Sequence, residues 1–271
     1  MGIVGAILGD IAGQPYEFQF DEWSLAQRRG KDYELYQNKN SYTDDTVMSI
    51  AVMDAVKCGG KKEDFVEKMR YWGRIHRGAG YGGHFGMWLS SDDAEAYGSY
   101  GNGSAMRVSY VAEKCSGKEL VKMAQNSAMV THNHPEGIKG AVVTAKCAEM
   151  ARNGASKEEV LAYAIKMYPR GAYRYSADIP TSEYLESMKF DVSCQGSVPV
   201  AIRCFYETDS FKDCMYLINS MACDTDTLGA IAGGICEEFY GNCLGSKEAD
   251  LEMVRRYLPD DLYEEVANER H

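Results

Sequence analysis

The 271-residue chain has no run of 18 apolar residues, no Cys-x-x-Cys pair, no surplus of positive charge and only six prolines. Each absence excludes something. Without a long apolar run, no transmembrane helix and no membrane partner are expected. The opening stretch, Met1 to Asp10, is apolar but has no basic segment and ends in an acid, so it does not read as a signal peptide. Nine cysteines at wide, irregular spacings argue against a zinc ribbon or a redox pair. They read as free buried thiols of a reducing compartment, which makes a cytoplasmic chain the expectation. Against 40 Asp plus Glu stand 29 Lys plus Arg, a net charge of −11. A nucleic-acid scaffold is therefore excluded, because phosphate binding needs a basic face.

What is present reads as globular: 45% hydrophobic, 25% charged and 11% aromatic residues. The length suits one domain over residues 1–271, and neither a low-complexity linker nor an internal repeat divides it. Apolar residues recurring at i, i+3, i+4 and i+7 predict helices over 45–58, 61–74, 103–115, 119–130 and 136–151. The same period predicts 158–167, 198–206, 211–221, 225–240 and 251–258. Alternation over 189–193 is too short for a strand, and 168–195 reads as an insertion-like loop with room for one short helix. The expected class is all-α, a helical bundle.

Two features break the helical pattern. Glycine accumulates over 77–83, which includes Gly82, and again over 97–104 as Tyr97-Gly98-Ser99-Tyr100-Gly101-Asn102-Gly103-Ser104. Such loops let backbone approach a ligand, and backbone N–H groups at the helix expected to follow suit a diphosphate. Two acidic clusters, Thr43-Asp44-Asp45-Thr46 and Asp224-Thr225-Asp226-Thr227, each precede an apolar helix. Helix capping accounts for either one alone. Two alike bring four carboxylates and their hydroxyls into play, hard oxygen donors that suit Mg²⁺, Mn²⁺ or Ca²⁺. A pair of divalent ions about 3.5–4 Å apart would offset the repulsion among them.

Five motifs in order carry a resemblance across nearly the whole chain. They are Gly9-Asp10-Ile11-Ala12-Gly13 with Glu17, Thr43-Asp44-Asp45-Thr46, Gly101-Asn102-Gly103-Ser104-Ala105-Met106-Arg107, Thr131-His132-Asn133-His134-Pro135-Glu136-Gly137 and Asp224-Thr225-Asp226-Thr227-Leu228-Gly229. The chain resembles the ADP-ribosylglycohydrolase family. That resemblance implies an orthogonal helical bundle with two divalent cations, Mg²⁺ or Mn²⁺, held by Thr43, Asp44 and Asp45 and by Asp224, Asp226 and Thr227. Thr225 is expected to point away from them, and Asp10 to tie the first helix to the metal region by hydrogen bonds. Glu17 and Asp45 are the expected catalytic residues, Glu17 as base, acid, gate or extra metal contact. The glycine loops and His132, that is Gly82, Gly98, Ser99, Tyr100, Gly101, Asn102, Gly103 and His132, are the expected ADP-ribose contacts.

The implied reaction is hydrolysis of the bond joining ADP-ribose to an acceptor through an oxocarbenium-like state. The implied partners are ADP-ribosylated proteins or small ADP-ribosyl conjugates. The arginine-specific branch of the family carries an acid three positions before the loop asparagine, where this chain has Ser99. An O-linked substrate such as an ADP-ribosylated serine or O-acetyl-ADP-ribose is therefore the expectation. Arginine-linked hydrolysis is the alternative. A catalytically silent, crystallin-like role is opposed by the six intact ligand positions.

Overall fold

The computed structural model describes residues 2–31 and 33–269, and its elements are helices. In chain order these are α1 (Gly2–Gly13), α2 (Glu22–Arg29), α3 (Asp44–Lys57), α4 (Lys62–Ile75) and α5 (Gly83–Ser90). Next come α6 (Ser109–Lys114), α7 (Gly117–Met129), α8 (Pro135–Arg152), α9 (Lys157–Met167) and α10 (Thr181–Ser187). The last are α11 (Cys194–Glu207), α12 (Phe211–Asn219), α13 (Thr225–Tyr240), α14 (Lys247–Tyr257) and α15 (Asp260–Asn268). Short 3₁₀ turns at Gln14–Tyr16 and Asn102–Ser104 complete the set. The all-α expectation holds. Among the described residues no helix is long and apolar enough to cross a membrane.

The centre of the bundle is the pair α1 and α13. Every residue of α1 is buried, and so is nearly all of α13, as expected of helices that are apolar all round. Glycine lets the two backbones touch. A β-carbon on Gly5 would sit 2.2 Å from the Gly233 carbonyl oxygen, and one on Gly9 would sit 2.0 Å from that of Gly229. The contact brings the C-terminal end of α1 beside the N-terminal end of α13, where Thr225 Oγ1 donates to the Gly13 carbonyl at 2.8 Å. Helices α8, α11 and α12 pack on the other sides of α13, and α3 lies against α1.

Most predicted helices appear within a few residues of their expected limits, and 168–195 holds the one short helix, α10. The expected helix 103–115 is a correction. Only Ser109–Lys114 is α-helical, because Asn102–Ser104 turns as 3₁₀ and the chain bends before α6. Asn102 N donating to the Val192 carbonyl at 2.8 Å holds this turn away from helical geometry. Helices α2, α5 and α15 are short and were not legible from periodicity. All nine cysteines are free; eight are buried and Cys58 is exposed.

Candidate active site

The first acidic cluster opens α3. Thr43 occupies the N-cap, its hydroxyl accepting from Asp45 N at 3.2 Å, so the capping role is real. Asp10, fully buried on α1, ties down the same turn. It accepts from Thr43 N at 2.9 Å, Thr46 N at 3.1 Å and the Thr46 hydroxyl at 2.5 Å, and the Thr43 hydroxyl lies 2.9 Å away. A carboxylate at a helix start meets both free N–H groups and the positive end of the helix dipole.

The second cluster opens α13. Asp224 stands at the N-cap but makes no side-chain cap. Its carboxylate instead accepts from Asn102 Nδ2 at 2.7 Å, and that amide also donates to Ser197 Oγ at 2.9 Å. Thr225 faces α1, away from the other three residues, as the resemblance implied. The clusters meet where Thr227 Oγ1 donates to Asp45 Oδ2 at 3.2 Å. Glu17, in the loop after α1, brings a carboxylate oxygen within 4.8 Å of oxygens on Asp224 and Asp226.

Crowding these acids raises their proton affinity. Burial pushes Asp44 up to about 7, with the Asp10 and Asp224 charges adding to it. Burial and Asp224 push Glu17 up to about 7 as well. Asp45 and Asp226 are driven well above the carboxylate range by burial and then by neighbouring acids. Asp10 rises less, to about 6, because its hydrogen bonds to Thr43 and Thr46 offset burial. Meanwhile Asp45 Oδ1 is buried without a hydrogen-bond partner. An orphaned carboxylate oxygen among hard oxygen donors is the environment a divalent cation satisfies. The residues fit such an ion.

Above the acids lies a cleft of about 350 Å³, within the ordinary range for a small-molecule site. Glu17, Thr43, Asp44, Asp45, Asp224, Asp226 and Thr227 line it together with Gly82, Ser99, Gly101, Asn102, Gly103 and His132. Gly98 and Tyr100 do not. Tyr100 is 51% exposed, with its ring 5.2 Å from that of His134. His134 caps α8, its Nδ1 accepting from Glu136 N at 3.1 Å. Sequence reasoning left out Phe85, Tyr97, Arg107 as a wall residue, and Val192. Arg107 lay inside a quoted motif and Tyr97 opened the quoted glycine loop, whereas nothing local marks Phe85 or Val192. Beside Glu17, the rings of Phe18 and Phe20 lie 5.7 and 5.2 Å from that of Phe190, so the 168–195 region borders the cleft mouth.

Comparison with known proteins shows the family to which this fold belongs. The ADP-ribosylglycohydrolase family profile matches residues 1–244. The cattle (Bos taurus) ADP-ribosylhydrolase ARH3 is 24% identical over 92% of this chain and 89% of its own. The ADP-ribosylarginine hydrolase Tri1 of Pseudomonas putida (strain GB-1) is 26% identical over 88% of this chain and 69% of its own. A solved structure, an ADP-ribosylglycohydrolase-related protein complex, superposes with a TM-score of 0.66 at 22% identity, covering 97% of this chain and 94% of that one. The helical bundle with an acid-lined cleft is that of a glycosidic-bond hydrolase. The chain belongs to the ADP-ribosylglycohydrolase family.

Proposed function

We propose that the chain, acting as one domain over residues 1–271, hydrolyses the O-glycosidic bond between ADP-ribose and a serine-type or O-acetyl acceptor in the cytoplasm. The observation that carries the linkage is Ser99. It lines the cleft, and its hydroxyl accepts from Gly101 N at 3.1 Å. An arginine acceptor leaves as a guanidine, which a facing carboxylate would stabilise, whereas an alcohol needs only a proton. The nearby acids do not replace the missing charge: Asp92 pairs with Arg74 at 2.6 Å, and neither Asp92 nor Asp93 lines the cleft.

Thr43, Asp44 and Asp45 would hold one divalent ion, Mg²⁺ or Mn²⁺, and Asp224, Asp226 and Thr227 a second. Bound there, the ions supply Lewis acidity and neutralise the acid cluster. Asp10 and Asn102 hold the two groups of ligands in place. Glu17 sits half-buried at the mouth, where its carboxyl can move a proton to or from the leaving group. Asp45 accepts from both Thr43 and Thr227, one from each group, and this position between the groups supports its assignment as a catalytic residue. The Gly101–Gly103 backbone and His132 would cradle the diphosphate and ribose, with Gly82, Gly98 and Tyr100 at the edge of that cradle.

The test is release of ADP-ribose from matched serine-linked and arginine-linked ADP-ribosyl peptides, with Mg²⁺ and with EDTA. Metal-dependent cleavage of the serine-linked peptide is expected. Cleavage of the arginine-linked peptide alone overturns the linkage, and activity unaffected by EDTA overturns the metal centre.

A further inference from the structure

One wall of the cleft contains a buried cation whose hydrogen-bonding partners are neutral. Arg107 is 1% exposed. Its Nη2 donates to the Ser127 carbonyl at 2.7 Å and to Thr131 Oγ1 at 3.1 Å, while its Nε has no partner. Thr131 Oγ1 in turn lies 2.7 Å from His132 Nδ1. A guanidinium only donates, so the Thr131 oxygen is an acceptor toward Arg107 and its own hydrogen is free. Thr131 has no exposed surface, and His132 Nδ1 is the one acceptor within reach of that hydrogen among the described residues. Were Nδ1 instead to carry a hydrogen, the buried hydroxyl would be left without an acceptor, at a cost of about 1–3 kcal/mol.

Donation from Thr131 to Nδ1 puts the imidazole hydrogen on Nε2. That nitrogen faces the glycine loop. A β-carbon on Gly103 would stand 3.3 Å from it, and one on Gly101 would stand 3.5 Å away. Both glycines and His132 line the cleft. Burial and the Arg107 charge both hold the ring below its ordinary pKa, which keeps it neutral.

We propose that Arg107 and Thr131 are positioning residues that lock His132 as a neutral Nε2–H donor aimed into the cleft across Gly101 and Gly103. Its target is a phosphoryl or hydroxyl oxygen of the bound nucleotide. This rests on the reading of the cleft as an ADP-ribose site. With Nδ1 accepting and Nε2 protonated, no imidazole lone pair is left facing the substrate. His132 therefore binds and orients, and takes no proton during turnover.

The experiment is nitrogen-15 NMR of histidine-labelled protein, with His132 assigned by difference against His132→Gln, alongside ADP-ribose titrations. In the wild type the expected spectrum is an unprotonated Nδ1 and a protonated Nε2 near neutral pH. Thr131→Val should mix the tautomers and weaken ADP-ribose binding about tenfold, raising KM more than it lowers kcat. Thr131→Ser should restore both. A protonated Nδ1 or a charged ring in the wild type overturns the proposal whether or not the variants fold, and so does unchanged binding by Thr131→Val. A wild type that shows the expected tautomer but binds no ADP-ribose overturns the reading of the cleft and, with it, the donor's target.

Discussion

The two helix starts that form the acid cluster look alike in sequence and are supported in opposite ways. At the start of α3, a threonine caps the helix conventionally and a buried aspartate on α1 secures the whole turn through backbone and hydroxyl groups. At the start of α13, Asp224 makes no cap and is held from across the cleft by Asn102 of the glycine loop. The α3 cluster is tied to α1 of the central helix pair, whereas the cluster on α13, itself a member of that pair, is also held by the glycine loop that lines the cleft. A loop movement at Asn102 would reach Asp224 directly and leave the α3 turn in place.

The largest effect should come from the acids common to both sides. Asp44→Ala and Asp226→Ala are each expected to abolish turnover with unchanged far-UV circular dichroism. Full activity in either would break the symmetry between the two groups. Next come the supports. Asp10→Asn turns an amide toward the Thr46 N–H and should cost about 10–100-fold in activity or metal affinity. Asn102→Ala falls in the same range but should also weaken ADP-ribose binding, which Asp10→Asn should leave nearer to wild type. Equal losses of nucleotide affinity in isothermal titration would erase the distinction between the two supports.

Gly9→Ala tests the contact beneath both clusters. Its β-carbon would lie 2.0 Å from a backbone oxygen of α13, which no rotamer change relieves. A loss of about 1–3 kcal/mol is expected, read as a fall in Tm of about 2–4 °C per kcal/mol. The smallest effect is a control remote from the site. Glu269 is held down to about 2 by the Tyr110 hydroxyl and by Lys57 and Lys114, against an ordinary 4.5. A carboxyl with a depressed folded pKa stabilises above its unfolded value, and that contribution fades as pH falls through the folded one. Wild type should therefore exceed Glu269→Gln by about 1 kcal/mol or less at pH 7. The gap should close between about pH 5 and pH 2 in denaturant titrations, with activity unchanged at pH 7.

The clusters at 43–46 and 224–227 were legible as two sets of hard oxygen donors because that chemistry depends on residue type and local spacing, whereas the choice of Thr43, Asp44, Asp45, Asp224, Asp226 and Thr227 among them rested on the family resemblance. Long amphipathic helices were legible for a similar reason, since periodicity over many residues averages out exceptions. Helices α2, α5 and α15 span eight or nine residues each and offered too few periods. The turn at Asn102 was misread because its geometry is set by the bond that Asn102 N donates to the carbonyl of Val192, ninety positions away in the chain. Glycines 5, 9 and 233 were visible in the sequence as small residues, but their partners were not.

By itself, then, the sequence determined a helical chain with two sets of hard oxygen donors and flexible glycine loops, all properties of residues and their near neighbours. Tertiary structure alone decided that Glu17 joins Asp224 and Asp226, that Asn102 secures an acid, and that Arg107 and Thr131 stand behind His132. Apart from that between the adjacent Thr131 and His132, these are contacts between distant segments. Their geometry is set by how the helices and loops pack against one another, which depends on the whole fold.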